Sequence, residues 1–235
     1  MDEDDAFAIT TRRLVEDYDA LSPVVGTGTS RLALIHFGRT QIPANNNWSI
    51  TTILTIFDVV SKLALPIKNS NQRKQWKTQR PNEEILTTIY QNQVEFWETL
   101  RENITEMAEV LGSDPRSHIA GKYRTQNGGH VLFRPAGLQA FSSAVRVLLD
   151  RGHTLDQSVH ALSNTVLELN AEPWKSVLWD DTRKKMITKN RELVENPFLH
   201  MVKQEPRHGS LLENYRKALG DDAISLEQIP QPSSI

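Results

Sequence analysis

The chain has 235 residues, of which 38% are hydrophobic and 24% charged, so it has the composition of one large or two small globular domains. Its formal net charge of -2 gives no overall attraction to nucleic acid, and such binding would need a local basic surface. The absence of cysteine excludes disulfides, thiol nucleophiles and cysteine-ligated metal sites, and it fits a reducing cytoplasm.

The apolar periodicity predicts a mainly α fold, a compact irregular helical domain with short extended segments. We expect a single domain over residues 1–229, a possible sub-boundary near 66–81 and a loose tail at 230–235. The acidic first residues lack the pattern of a signal peptide, and no apolar run is long enough to span a bilayer. We therefore expect a cytoplasmic protein without a membrane partner.

Three segments of the first third carry structural signals. Residues 5–21 predict a helix, because apolar side chains recur on one face and carboxylates stand at its start. Residues 31–37 fit either a helix or a strand. Residues 49–63 predict a helix capped by Ser49, although the β-branched residues of 51–56 make a strand the rival interpretation.

The middle of the chain predicts two long helices, and the second of them follows a characteristic motif. Residues 82–103 have a wide apolar stripe and follow Pro81, which predicts a long helix. The motif runs from a Gly-Gly turn that includes Gly129, through a short apolar run and Arg134, to a second helix that starts at Pro135. The pattern predicts that the protein core is built around this second helix.

The last third has clear helix boundaries. Gly152 suits the left-handed residue that ends a helix, and Thr154 with Gln157 fits a capping box for the next one. Apolar residues then continue at helical spacing as far as Leu169. A last helix is predicted over residues 211–219.

Two acid-poor basic segments are candidates for nucleic-acid binding. The predicted phosphate contacts are Arg73, Lys74, Lys77 and Arg80 in the first segment, and Arg183, Lys184, Lys185 and Lys189 in the second. Trp76 lies inside the first segment, where it could stack on a base. The alternative for both segments is a solvated surface without a ligand, and the first fits a loop or a loosely formed helix.

Other polar residues give weaker indications of chemistry. His130 could act as a base or belong to a turn, and no metal-binding histidine spacing occurs. Asp180 and Asp181 could hold a metal with Glu172, or cap a following helix. Arg134 could bind an anion near a helix start or pair with a carboxylate. We therefore assign no catalytic residue, metal or cofactor.

Several segments are similar to a known family. They are residues 130–138, 174–179, 185–187 and 189–191, together with the first helix at Asp4-Asp5 with Arg12, Arg13 and Leu14, and the region 30–63. The segments of the second half resemble the C-terminal region of the DGQHR-domain family, which includes the DndB-like proteins of bacterial DNA phosphorothioation systems. The first helix resembles the family segment that follows its motif domain, and the region 30–63 resembles the family's middle helical part. The resemblance thus implies that the chain corresponds to the C-terminal helical region of the family. The Asp-Gly-Gln-His-Arg motif itself is absent from this sequence. The active or nucleotide-handling residues that the family implies therefore have no positions here.

The resemblance implies an association with DNA modification or antiviral (phage) defence. Our leading expectation is a DNA-associated accessory module, for example a DNA-binding transcription regulator. The alternative is a protein-interaction domain that docks onto a partner carrying the missing ParB/sulfiredoxin-like domain, through apolar surface on the first helix or around Trp174 and Trp179. An enzyme ranks last, because no motif supplies a nucleophile, base or metal set.

Overall fold

Helices dominate the structure. The structure is a computed structural model and describes residues 4–28, 31–38, 41–65, 70–175, 177–187, 195–205, 211–222 and 225. The strands in these ranges are only two residues long, which confirms the predicted mainly α fold. The chain forms two compact units, the N-terminal unit (1–121) and the C-terminal unit (122–235). Among the described residues, no helix has the length and apolar character needed to cross a bilayer.

The N-terminal unit is a helical core with two small strand pairs. Its helices are α1 (Ala6–Asp17), α2 (Ile53–Leu63), α3 (Ser70–Trp76), α4 (Glu83–Asn103) and α5 (Thr105–Val110), and α6 (Ile119–Lys122) follows at the boundary. Its strands are β1 (Val24–Val25), β2 (Leu32–Ala33), β3 (Ile35–His36) and β4 (Thr51–Thr52). β1 and β2 pair antiparallel, whereas β3 and β4 pair parallel. The helix α1 packs on both α2 and α4, and Phe7, Leu14 and Trp97 are fully buried.

Local side-chain caps fix where the long helices begin. The Asp5 carboxylate accepts hydrogen bonds from the backbone N–H groups of Phe7 and Ala8 at the start of α1. The Asn82 side chain accepts one from Ile85 at the start of α4. Such side chains satisfy donors that have no partner inside the helix. The predicted helix over 82–103 is confirmed, and the first helix ends at Asp17 rather than at residue 21.

The segment around residue 50 combines the two rival predictions. Residues 51–52 form β4 against β3, and α2 begins immediately afterwards. The cap is Thr52, whose hydroxyl accepts a hydrogen bond from the Thr55 N–H, and the prediction of Ser49 was wrong. The Ser49 hydroxyl instead donates to the Ala33 carbonyl at 2.7 Å, because the strand pairing holds this segment beside β2. For residues 31–37 the strand interpretation is correct.

The C-terminal unit surrounds the helix that follows the Gly-Gly motif. Its helices are α7 (Pro135–Asp150), α8 (Leu155–Ser163), α9 (Glu195–Met201) and α10 (Leu211–Leu219), and its strands are β5 (Trp179–Asp180) and β6 (Lys185–Met186), an antiparallel pair. The helix α7 packs against α8 and α9. The Phe198 ring contacts both Phe141 and Trp174, with ring centres 5.4 and 4.6 Å apart.

The boundaries of these helices follow the predicted signals closely. Gly152 has a φ of +91°, and the capping box between Thr154 and Gln157 is present in full. The helix α8 ends at Ser163, so the apolar stripe predicted to continue to Leu169 runs past the end of the helix. The helix α10 covers the predicted residues 211–219. The predicted tail at 230–235 lies outside the described residues.

Candidate functional sites

The first basic segment contains the helix α3, which is anchored by Trp76. Only 5% of Trp76 is exposed, so the expectation that this ring stacks on a base is wrong. The ring is the large apolar side chain of an otherwise polar helix, and burying it stabilises α3 on the unit. The helical alternative for this segment is correct for residues 70–76. The segment begins in the sequence at Lys68, which lies outside the described residues.

Three cations of this segment form the α3 surface, defined as Arg73, Lys74 and Lys77. Lys74 and Lys77 are exposed, and the Lys77 N–H donates to the Lys74 carbonyl, so a turn continues the helix. Arg73 is half-buried, and its guanidinium lies 3.4 Å from the Lys62 carbonyl at the end of α2. No carboxylate among the described residues forms an ion pair with Lys74 or Lys77. Lys74 and Lys77 therefore present positive charge to solvent on the α3 surface.

Arg80 differs from these three residues, because it is paired with an acid. Its guanidinium forms an ion pair with Glu83 in the first turn of α4, and both side chains are largely exposed. An acid at the start of a helix is itself favourable, since it interacts with the helix dipole. Arg80 therefore adds little net positive charge to the α3 surface.

The second basic segment lies on the turn between β5 and β6. The Arg183 guanidinium lies 3.8 Å from the Asp180 carboxylate, and the Lys184 ammonium lies 2.9 Å from Asp181. The hydrogen bond from Lys184 holds the pKa of Asp181 below its usual value. Lys185 is exposed on β6. The predicted residue Lys189, and Arg191 beside it, lie outside the described residues.

Asp180 shapes this turn and does not start a helix. Its carboxylate accepts hydrogen bonds from the backbone N–H groups of Thr182 and Arg183, at 3.1 and 2.8 Å. The expectation of a helix cap is therefore wrong: these hydrogen bonds support the reversal between two short strands. Within the described residues, no group of three metal-ligating side chains comes together.

Arg134 holds the Gly-Gly turn in place. Its guanidinium donates to the Gly128 carbonyl at 2.8 Å and to the Thr125 carbonyl at 3.0 Å, and it lies over the Trp179 ring. Burial lowers the pKa of Arg134. A side chain on Gly129 would come within 2.2 Å of the Tyr123 carbonyl oxygen, and Gly129 has a φ of +76°. Backbone carbonyls, rather than an external anion or a carboxylate, thus bind the guanidinium fork.

His130 has a structural contact in the same motif. Its Nδ1 accepts a hydrogen bond from the Leu132 N–H and so caps the 3₁₀ turn Val131–Phe133. The turn interpretation of His130 therefore agrees with its contact.

Arg124 is a second cation near Arg134, close enough for their charges to interact. Burial, together with the charge of Arg134, lowers the pKa of Arg124 to about 10.

Sequence reasoning missed a cleft in the N-terminal unit. The cleft has a volume of about 340 Å³ and is lined by β2, β3 and the loop that leads to β4. Its side chains combine aromatic rings, amides and one cation, contributed by Arg31, His36, Phe37, Asn45 and Trp48. The Arg31 guanidinium lies 5.2 Å from the centre of the Phe37 ring. The volume falls at the small end of the range for ligand pockets.

Hydrogen bonds and ring contacts fix the far wall of this cleft. The Asn46 side chain accepts hydrogen bonds from the backbone N–H groups of Trp48 and Ser49. The Trp48 ring meets the His118 ring edge to face, with centres 5.8 Å apart. His118 has a φ of +55°, a conformation that few residues other than glycine adopt. These contacts hold Asn46 and Trp48 in the conformation that forms this wall.

Comparison with protein families, with curated proteins and with solved structures found no match to this chain. None of the three comparisons bears on the expected resemblance to the DGQHR-domain family, which stays a prediction from sequence.

Proposed function

We propose that this chain is a DNA-associated accessory module that contacts phosphates through the α3 surface. One observation carries the proposal: Lys74 and Lys77 stand exposed beside Arg73 on a segment, residues 70–80, that contains no acid. The buried Trp76 anchors that segment, so Arg73 and Lys74 are presented by an ordered helix and Lys77 by the turn that follows it. Sequence-independent contacts of this kind supply most of the affinity in non-specific DNA binding.

The size of the α3 surface suits a few phosphates. Residues three and four apart on a helix are neighbours about 5–6 Å apart. Along about 5.4 Å, the length of one helical turn, duplex DNA carries roughly three phosphate charges when both strands are counted, one per about 1.7 Å of its axis. Arg73, Lys74 and Lys77 are therefore similar in number to the phosphates of a short stretch of duplex, counted over its two strands.

The proposed interface is narrower than the set predicted from sequence. Arg80, Arg183 and Lys184 each have an acidic partner, and a phosphate would have to displace it. Exposed ion pairs of this kind are worth only about 0–1 kcal/mol, so displacement is possible but adds little affinity. We therefore assign the main contacts to the α3 surface.

The sequence resemblance supports the biological setting of the proposal. It suggests that the module serves a bacterial DNA-modification or antiviral defence system, in a regulatory or accessory role. The side chains that would favour docking onto a partner protein instead are largely buried: Trp174 is 0% and Trp179 1% exposed, and of the apolar residues of α1 only Ile9 is partly exposed. Neither tryptophan can therefore form the apolar docking surface.

A duplex-binding assay with charge-matched variants tests the proposal. Fluorescence anisotropy of a labelled duplex at low salt should show saturable binding by the wild type. The variant K74Q/K77Q should bind at least about tenfold more weakly, a loss of about 1.4 kcal/mol. The control K175Q/K217Q removes the same charge from two exposed lysines of the C-terminal unit and should bind as the wild type does. Equal losses in both variants, or no wild-type binding, would overturn the proposal.

A further inference from the structure

We propose that the cleft of the N-terminal unit binds a nucleotide, with its base against the aromatic side chains and its phosphate on Arg31. This site is separate from the α3 surface. The cleft includes Trp48 and Ser49, just before α2, whereas Arg73 contacts the carbonyl of Lys62 at the other end of that helix. The eleven residues of α2 span about 16 Å. The two proposals can therefore fail independently.

Phe37 is the first reason to expect a planar ligand. Its side chain is 47% exposed, one of few large apolar side chains so open among the described residues. The ring lies in the cleft, in the company of Trp48 and His36. Base stacking on an aromatic side chain contributes about 1–3 kcal/mol per base. A planar ring would cover the surface that Phe37 leaves in water.

Arg31 is the reason to expect that the planar ligand also carries an anionic group. Its side chain is exposed, and no acid among the described residues forms an ion pair with it. The guanidinium is held near the Phe37 ring by a cation–π contact. Arginine presents a planar fork of donors that matches a phosphate. A ligand that joins a flat ring to a phosphate would thus satisfy both side chains.

Asn45 and the far wall of the cleft favour a nucleotide base, rather than a simple aromatic acid, as the planar part of the ligand. The Asn45 side chain is exposed in the cleft and offers a donor and an acceptor, the pair that adenine presents on its edge. The Gly121 N–H donates to the Asn47 carbonyl at 2.7 Å, and a side chain on Gly121 would come within 2.7 Å of the Asn47 Cβ. This contact, with the ring of His118 on Trp48, holds the wall ready for a ligand and lowers the cost of ordering it.

Calorimetric titration of the full chain with AMP tests the site. We expect saturable binding with a Kd below about 1 mM. Adenosine, which lacks the phosphate, ribose 5-phosphate, which lacks the base, and benzoate, a planar anion without a base edge, should each bind at least about tenfold more weakly. A short oligodeoxyadenylate identifies the source of the nucleotide: tighter binding than AMP indicates an unpaired strand, and equal or weaker binding indicates a free nucleotide.

Two variants and two matched controls connect binding to the cleft. R31Q should weaken AMP binding about tenfold and leave adenosine binding unchanged, whereas F37A should weaken both. The controls R12Q and L54A change an exposed arginine and an exposed apolar residue elsewhere in the same unit. They should bind AMP as the wild type does. Absence of AMP binding by the wild type, or the same loss in the controls, would overturn the inference.

Discussion

The substitution of Gly137 by alanine tests what holds the central motif together. Gly137 is buried in the first turn of α7, behind Pro135. Helix propensity alone predicts that alanine stabilises this position by about 1 kcal/mol. The structure predicts the opposite sign, because a Cβ there would lie 2.1 Å from the Val131 carbonyl oxygen and 2.8 Å from the Val131 carbonyl carbon.

The clash falls on backbone that has little freedom to move. The Val131 N–H donates to the Leu167 carbonyl at 2.7 Å, and the Val131 carbonyl accepts from the Arg134 N–H at 3.1 Å. Relieving the clash would break one of these hydrogen bonds or shift the first turn of α7. Overpacking a core typically costs about 1–3 kcal/mol, and this case belongs at the upper end. With the propensity gain subtracted, we expect a net loss of about 2 kcal/mol.

Urea unfolding followed by tryptophan fluorescence measures this loss. The C-terminal unit carries the buried Trp174 and Trp179 as probes, and hydrogen exchange of the α7 amides locates the effect. The control A136G makes the reverse change at the neighbouring position and should cost about 0.5–1 kcal/mol. If G137A proves more stable than the wild type, the close approach of α7 to the Val131 turn is refuted.

Three further changes test other contacts. R134K keeps the charge but loses the fork of donors that reaches the Gly128 and Thr125 carbonyls. Thermal unfolding should therefore show a loss of about 1–2 kcal/mol in the free energy of unfolding. An unchanged stability would contradict the role of Arg134 in holding the turn. Gln93 is fully buried, and neither of its amide atoms has a hydrogen-bond partner among the described residues. Q93M should therefore raise the free energy of unfolding in urea by about 1–2 kcal/mol. A lower free energy of unfolding would contradict this reasoning. Burial and the hydrogen bond to Glu98 raise the pKa of Tyr18 above its ordinary value of 10.0. Tyr18 therefore ionises at a lower pH in the unfolded state than in the folded state, and the protein loses stability as the pH rises past 10.0. The stability advantage of the wild type over Y18F should therefore shrink between about pH 9 and about pH 11, and a constant difference would contradict the shift.

Helix boundaries were the most predictable part of the fold. Asn82, Pro135 and Thr154 mark helix starts through contacts within three residues, so the sequence carries the whole signal. The same holds for Gly152, where a positive φ follows the last turn of α7. Capping chemistry is local, and local chemistry can be read without a structure.

The errors come from contacts between distant residues. Thr51 and Thr52 join a strand because they pair with residues 35–36, and this pairing moves the helix cap from Ser49 to Thr52. The basic neighbours of Trp76 are compatible with a ring that stacks on a base, but packing against the unit buries the ring. Neither outcome is encoded in a window of neighbouring residues.

The candidate sites show the same division. The exposed lysines of the α3 surface could be predicted from an acid-poor run of sequence. The acidic partners of Arg183 and Lys184 stand three residues before them, so they could have been noticed. The cleft could not, because it brings Arg31 and Phe37 together with Trp48 through strand pairing and a folded loop.

The salt dependence of duplex binding tests the central proposal most directly. If three cations of the α3 surface neutralise phosphates, log K should fall with log salt concentration at a slope of about -2.7, that is, about -0.9 for each contact. K74Q/K77Q should reduce the slope to about -0.9, since each lost contact removes about one unit. K175Q/K217Q should keep the wild-type slope. The proposal is contradicted if K74Q/K77Q retains the wild-type slope, because the phosphates would then be held elsewhere.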